Sequence, residues 1–257
     1  MHCNTGKHSL AAAVLPFLSL CAAVFLCFSL KTTAITAHAE APKGTAENPW
    51  VVTLDPGHGG TDLGATYAPF AERFMTLYVA QLINQDLAQY PQIKVNITRS
   101  DDVDVSLSQR AALAKQTNSD LFVSLHFNVA PSGTKTGSEV YISSVGNMET
   151  YGQIFAIHEL NELNAIAGIK PRGIYTRIGA HGDYYGVIRH CTAYNIPSVI
   201  VEHCYLNNTT DRTTLSQADI YQKMAQADAK AITDYFCVTQ DTAPQVATPV
   251  QPAQIEN

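Results

Sequence analysis

The chain is poor in the residues that staple or charge a protein. Of 257 residues only 15% carry a formal charge, one is tryptophan and six are cysteine. Cys3, Cys21 and Cys27 lie near the N-terminus, leaving Cys191, Cys204 and Cys237 for the rest of the chain. An odd count excludes a fully paired intramolecular disulfide framework. A single disulfide can form in an oxidising compartment, and Cys191–Cys204 is the closer pair in sequence. The other reading makes these cysteines small buried hydrophobes. A metal site built from Cys191, Cys204 and His203 or His190 lacks any finger-like spacing. The net charge of -6 argues against nucleic acid as a ligand. No basic patch is available to grip an anionic polymer, so recognition of any polymer is expected to be local. There is no internal repeat.

One long apolar run is present. Lys7 precedes the stretch from Leu10 to Leu30, and a small polar segment then ends in Ala37-His38-Ala39. That order is the charged, apolar and A-x-A pattern of a secretory signal. Residues 1–39 are expected to be a signal peptide, with a mature start at Glu40. The run approaches spanning length, so an uncleaved anchor is the alternative. Lipidation at Cys21 is disfavoured by the bulky Leu20 before it. Cleavage removes Lys7 and Lys31 and takes the formal charge from -6 to -8. About 218 residues remain, ample for one core. Residues 40–49 read as a short leader, 50–237 as the folded domain, and 238–257, rich in Pro, Gln, Ala and Thr, as a flexible tail.

From Val51 onward strand and helix patterns alternate. Strands are expected at Val51 to Leu54, Ile93 to Ile97, Leu121 to Leu125, Gly137 to Ser143, Ile174 to Arg177 and Ser198 to Val201. Helices are expected at Glu72 to Ala88, with Phe74, Leu77, Tyr78, Leu82 and Ile83 at helical spacing, and at Ser106 to Thr117, with Ser106 as cap. Two more are expected at Met148 to Asn164 and Ser216 to Phe236. The alternation predicts a single α/β domain, its mostly parallel or mixed central sheet flanked by helices on both faces. Ligand sites in such folds collect beyond the C-terminal ends of strands. His58, His126 and Glu202 each fall there, and Glu72 opens a helix.

Two histidines and a carboxylate can hold zinc with a position left open for water, and a second carboxylate can act as base. Each residue alone has a plainer reading: a hydrogen-bonded surface histidine, a helix-terminal acid at Glu72, or at Glu202 a buried partner of Arg189. Their compatible placement favours a metal-dependent hydrolase site. Ser124, two residues before His126, is expected to point to the opposite side of the strand and to be a poor nucleophile.

At these residues the chain resembles the zinc-dependent N-acetylmuramoyl-L-alanine amidases of the bacterial cell-wall type, from about Val51 to Phe236. Asp55-Pro56-Gly57-His58-Gly59-Gly60 matches the first metal motif, and Glu72 the second ligand. Thr98-Arg99 with Asp101, Asp102 and Leu107 to Arg110 matches the segment before the second histidine. Asp120 to Asn128 matches the third ligand's motif, and Pro197 to Asn207 the glutamate motif. The resemblance implies a catalytic domain over 50–237 that holds one Zn2+ on His58, Glu72 and His126, with Glu202 as the catalytic carboxylate. It implies cleavage of the amide between N-acetylmuramic acid and L-alanine in peptidoglycan, outside the cytoplasmic membrane. A related zinc peptidase or deacetylase, or a wall-binding protein without turnover, is the rival reading. The domain is expected to be a monomer, with a protein partner for targeting as one option.

Arg189 and Asn128 are the candidate substrate contacts or supports, and Tyr184 and Tyr185 line a groove or pack the core. His181 and His190 read as surface or groove residues. The chain departs from the family at His203 and Cys204, where a small residue is common after the glutamate. His203 is expected to point away from Glu202 into the core. Gly146 to Gly168 holds only a helix that the core requires, so an open site without a blocking insert is expected.

Overall fold

The computed structural model describes residues 41–239. The expected signal segment and the tail beyond residue 239 lie outside them. The first half runs through Trp50–Pro56 (β1), Thr66–Tyr67 (β2), Phe70–Ala71 (β3), Glu72–Leu87 (α1), Ile93–Ile97 (β4), Leu107–Gln116 (α2) and Leu121–Asn128 (β5). The second half runs through Ser138–Ile142 (β6), Gly146–Asn164 (α3), Pro171–Thr176 (β7), Ile178–Gly179 (β8), Gly182–Asp183 (β9), Gly186–Ala193 (α4), Ser198–Tyr205 (β10), Thr209–Leu215 (α5) and Ile220–Tyr235 (α6). Among the described residues no helix is long and apolar enough to cross a membrane.

Six strands form one sheet in the order β4-β1-β5-β10-β6-β7. The pairs β4–β1, β1–β5 and β5–β10 are parallel, β10–β6 is antiparallel and β6–β7 is parallel. The sheet is therefore mixed, with its parallel half built by crossover helices. Strand β5, Leu-Phe-Val-Ser-Leu-His-Phe-Asn, is buried along most of its length, as a central strand covered on both faces must be. Its alternate residues split between two apolar clusters. Leu121, Val123, Leu125 and Phe127 join Val199 and Val201 of β10 and the inner faces of α1, α3 and α6. Phe122 joins Ile200 and the inner faces of α2 and α4. Helices thus cover both faces, as the sequence pattern predicts.

The helices follow their own periodicity. In α1 the buried stripe is Met75, Val79, Leu82, Ile83 and Leu87, spaced for one face. Phe74, which the sequence reading places among the inward positions, is instead 48% exposed, with the Arg73 guanidinium 4.6 Å over its ring. Ser106 caps α2 through a full capping box with Gln109, as its position predicts. Two elements depart from the sequence reading. Residues 186–193, given no element by the sequence reading, form α4, and a separate short helix, α5, precedes α6, which answers to the helix expected at Ser216 to Phe236. Asn208 starts α5 by accepting from the backbone N–H groups of Thr210 and Asp211, a polar cap inside a segment with little apolar periodicity. Cys191 and Cys204 are buried free thiols in the two separate clusters, so the small-hydrophobe reading holds and the disulfide does not form.

Two buried arginines hold the turn after β1. Arg110 donates through Nη1 to Asp55 Oδ1 at 2.6 Å and to the Pro56 carbonyl at 2.8 Å, and through Nη2 to the His58 carbonyl at 2.8 Å. Arg99 donates through Nε to the Pro56 carbonyl at 3.0 Å and through Nη2 to the Gly57 carbonyl at 2.9 Å. Both side chains belong to nearly inaccessible residues, 3% and 4% exposed. Cutting one partner from such a pair strands a buried charge and costs about 3–5 kcal/mol. Arg110→Ala is therefore expected to lose stability in that range by urea denaturation. A loss below about 1 kcal/mol, the range of exposed pairs, would show that the clamp is not needed for folding.

Candidate active site

The turn held by the arginines delivers His58. Its φ of 63° is left-handed, a region that costs a non-glycine residue energy. Gly57 before it passes directly over His126, so that a Cβ there would overlap the imidazole ring. Gly64, at φ 62°, leaves room of the same kind: a Cβ would come within 2.6 Å of His58 Cδ2 and 2.7 Å of Glu72 Oε2. Glycine is required at both positions by close approach.

Glu72 enters from the N-terminus of α1 and is only 3% exposed. Its Oε1 lies 3.2 Å from His58 Nε2 and 3.0 Å from His126 Nδ1. It also accepts the Phe127 N–H at 2.9 Å, while Oε2 accepts the Ala65 N–H at 2.6 Å. On its far side His58 turns Nδ1 toward Asp62 Oδ2 at 2.9 Å. One ligand atom from each of His58, Glu72 and His126 lies within 4.8 Å of the others. Two imidazole nitrogens facing one carboxylate oxygen are a donor set suited to a divalent cation such as zinc. A carboxylate or similar acceptor on the other nitrogen is the usual support of a ligating histidine, and Asp62 stands there for His58.

The charges fit that arrangement. Burial acts to raise the Glu72 carboxyl, but the hydrogen bonds and charges of His126 and His58 outweigh it and hold the group well below the usual carboxylate range. Burial acts to lower His58, and its contacts with Glu72 and Asp62 reverse that and raise it. A cation between the three groups would satisfy the same need for positive charge.

Glu202 sits in β10 directly opposite His126 in the parallel register and opposite Glu139 in the antiparallel one. His126 and Glu202 lie inside their strands, since β5 runs on to Asn128 and β10 to Tyr205; the sequence reading placed them at the strand ends. A register shift follows Glu202, and such irregularities next to sites re-aim side chains. Glu202 is half-buried and its Oε2 is enclosed without a hydrogen-bond partner. Burial pushes its carboxyl up to about 8, with Glu72 and Glu139 adding to the rise and His126 opposing it.

A cleft of about 380 Å³ brings these groups together with Leu107, Asn128, Tyr185 and Val187. Asn128, a candidate contact, lines the cleft; its Nδ2 donates to Glu139 Oε2 at 3.3 Å. Arg189 is used elsewhere: Nη1 donates to the carbonyls of Asp183 and Tyr184 at 2.7 and 3.2 Å, so it braces the loop that carries Tyr185. Tyr184 is 48% exposed, under the Arg177 guanidinium at 3.6 Å. Helix α3 packs against β6, β7 and β10 as a core element, and no blocking helix crosses the cleft among the described residues.

One expectation is reversed. Ser124 is on the same face as His126, because residues two apart on a strand share a face. Its hydroxyl is fully buried and donates to Asp55 Oδ2 at 2.7 Å, which is what disqualifies it as a nucleophile. His203 behaves as expected, fully buried on the side away from Glu202 and stacked 5.1 Å from Phe127. Sequence reasoning gave no role to Asp55, Arg99, Arg110 or Glu139. For Asp55 and Glu139 the available signal was a charge inside an otherwise apolar strand; Arg99, beyond β4, and Arg110, in α2, carried none. Glu139 is 2% exposed and accepts from Arg172 Nε at 2.7 Å and from the Tyr141 hydroxyl at 3.0 Å.

The chain can now be set beside known proteins. A family model described as N-acetylmuramoyl-L-alanine amidase matches residues 52–234. Over 195 residues the chain is 31% identical to the N-acetylmuramoyl-L-alanine amidase CwlM of Bacillus licheniformis, which spans 75% of this chain and 71% of that relative. It is 31% identical over 185 residues to the amidase LytC of Bacillus subtilis, spanning 72% of this chain but 35% of that protein. Among solved structures, the catalytic domain of the amidase CwlV from Bacillus (Paenibacillus) polymyxa is 32% identical with a TM-score of 0.64, over 74% of this chain and 99% of that domain.

The raised Glu202 carboxyl has a measurable consequence in metal-free protein. Its folded value of about 8 exceeds the ordinary 4.5, so folding favours the protonated form. That contribution is complete below about pH 4.5 and is lost as pH rises through about 8. Relative to Glu202→Gln, the metal-free protein should lose stability across that window in denaturant titrations. Parallel curves for the two proteins would show that Glu202 ionises normally.

Proposed function

The chain belongs to the N-acetylmuramoyl-L-alanine amidase family, and from that premise we propose that it uses zinc, held by His58, Glu72 and His126, with Glu202 as its acid–base group. Members of this family are hydrolases of cell-wall peptidoglycan, and this chain is an amidase. The bond proposed to be cut joins the lactyl group of N-acetylmuramic acid to the amino group of L-alanine. The observation that carries the reading is the meeting of two imidazoles and a carboxylate within 4.8 Å, with Glu202 paired to His126 across the sheet.

When bound, zinc acidifies water and polarises a carbonyl as a Lewis acid. The chain's own residues do the rest. Glu202, on the strand next to His126 at a spacing of about 4.8 Å, accepts a proton from the attacking water and passes it to the departing alanine nitrogen. Its raised affinity for that proton suits both halves of the transfer. Asn128 and Tyr185 line the approach and are proposed to contact substrate, while Arg189 acts one step removed by holding the Tyr184–Tyr185 segment. Residues 1–39 are proposed as the export signal that places the domain outside the cytoplasmic membrane. A start near Glu40 in mass spectra of the natural protein supports release, and an intact N-terminus means retention by an anchor.

Glu202→Ala should retain zinc and fold but lose about 10²–10⁴-fold in turnover, the range for a positioned acid–base group. His126→Ala should lose zinc from the cleft together with activity. Digested peptidoglycan analysed by mass spectrometry should show stem peptides with a free L-alanine amino group. Shortened peptides would assign a peptidase instead, free sugar amines a deacetylase, and intact material a binding protein. A Glu202→Ala enzyme with near-normal rates would remove that residue from the mechanism.

A further inference from the structure

Behind the cleft, on the opposite face of the sheet, Glu159 of α3, His203 of β10 and Asp228 of α6 meet inside the apolar core. All three are 0% exposed, and one ligand atom from each lies within 4.8 Å of the others. His203 Nδ1 is 3.0 Å from the His126 carbonyl oxygen. A carbonyl only accepts, so Nδ1 carries the hydrogen. In the neutral ring Nε2 then presents a lone pair. That lone pair faces Asp228, with Oδ1 at 3.2 Å and Oδ2 at 3.1 Å. Both oxygens of Glu159 are enclosed without a hydrogen-bond partner. Lys230, on the same helix as Asp228, pairs with Glu162 and Asp234, and neither Glu159 nor Asp228 is paired with a lysine or arginine among the described residues. The three groups therefore converge in the core with only a shared proton or a cation to bridge them.

We propose that Glu159, His203 and Asp228 hold a second, buried divalent cation, distinct from the one proposed at His58, Glu72 and His126. Two carboxylates balance a divalent charge and leave the core without a net charge, which removes the penalty of burying ions singly. One imidazole with two carboxylates suits zinc or manganese. A ligating histidine commonly gives its other N–H to a backbone carbonyl or a carboxylate, and His203 does so to His126. The separations of 3.1 and 3.2 Å match those of 3.0 and 3.2 Å around Glu72. The site is closed on all sides, so its ion is structural, enters as the chain folds and is released when it unfolds. It ties α3 and α6 to β10 and, through the His126 carbonyl, to the strand that carries a histidine of the cleft.

Elemental analysis of the protein, of His126→Ala and of Glu159→Gln, each with and without brief native treatment with EDTA, tests this. Wild type should carry two equivalents of divalent metal, of which EDTA removes one. His126→Ala should keep the resistant equivalent, and folded Glu159→Gln should lack it. Should Glu159→Gln not fold, wild type provides the readout alone: after EDTA treatment, unfolding in guanidinium with a chromogenic chelator should release one further equivalent per chain. No resistant metal in wild type or His126→Ala would overturn the proposal and leave the cluster as carboxyls sharing protons with the imidazole. A wild type carrying a single equivalent, removed by EDTA and absent from His126→Ala, would also overturn it while upholding the metal proposed in the cleft.

Discussion

Two buried guanidinium groups keep the turn after β1 in a conformation it would not hold unaided. The carbonyls of Pro56, Gly57 and His58 all point at Arg99 or Arg110, which consumes acceptors that a buried turn cannot otherwise satisfy. The left-handed His58 is paid for by those contacts. Asp55 links the clamp to the sheet. Its carboxylate takes the Arg110 guanidinium, the Thr98 hydroxyl and the Ser124 hydroxyl, joining β1, α2, β5 and the end of β4. His58 therefore stands on a rigid frame although it lies on a loop.

The sheet divides its residues by face. One face is almost wholly apolar under α1, α3 and α6. The other carries Asp55, Ser124, His126, Glu202 and Glu139 on neighbouring strands, with only a small apolar cluster under α2 and α4. The antiparallel β6 joins the parallel strands beside β10, so the change of strand direction coincides with Glu202. Polar residues from parallel and antiparallel strands meet there. Glu72 is the exception to the face rule. It reaches the cleft from a helix on the apolar side because it occupies the first residue of α1, beside the C-terminal end of β5, where it accepts the Phe127 N–H.

The parts of this arrangement that are local in sequence were legible. Glycines around an imidazole after an apolar run, and carboxylates at element starts or within short apolar strands, pointed to His58, Glu72 and Glu202. Strand–helix alternation gave the layers. What escaped depends on contacts between distant segments. Arg99 and Arg110 stand in sequence only as members of a family-like segment, and their clamp appears once β1 is seen to turn between them. Arg189 read as a substrate contact or a partner of Glu202 because its acceptors are loop carbonyls, which sequence does not display. Helix α4 was hidden by aromatic residues and a glycine at its start, and it forms where Val187, Ile188 and Cys191 find an apolar cover on β10 and α2. The face of Ser124 was legible too: it stands two residues before His126, and that spacing on a strand means the same face, not the opposite one.

The distribution of counter-charge separates structural from chemical carboxylates. Asp55 has a guanidinium, Glu139 has Arg172, and Asp183 accepts from Ser143, Ser144 and Thr192. Each is buried and each is satisfied, as folding requires of an ionised group. Glu202 and Glu159 each keep an enclosed oxygen without a partner, and they lie on opposite sides of the same sheet. On the cleft side, substrate and water can reach Glu202, so an unpaired carboxylate there can exchange a proton with them. On the core side Glu159 is closed off from water, and burial, with Asp228 beside it, favours its neutral form. Strand β10 carries the two demands in adjacent residues. Glu202 faces the cleft, and His203 faces the core.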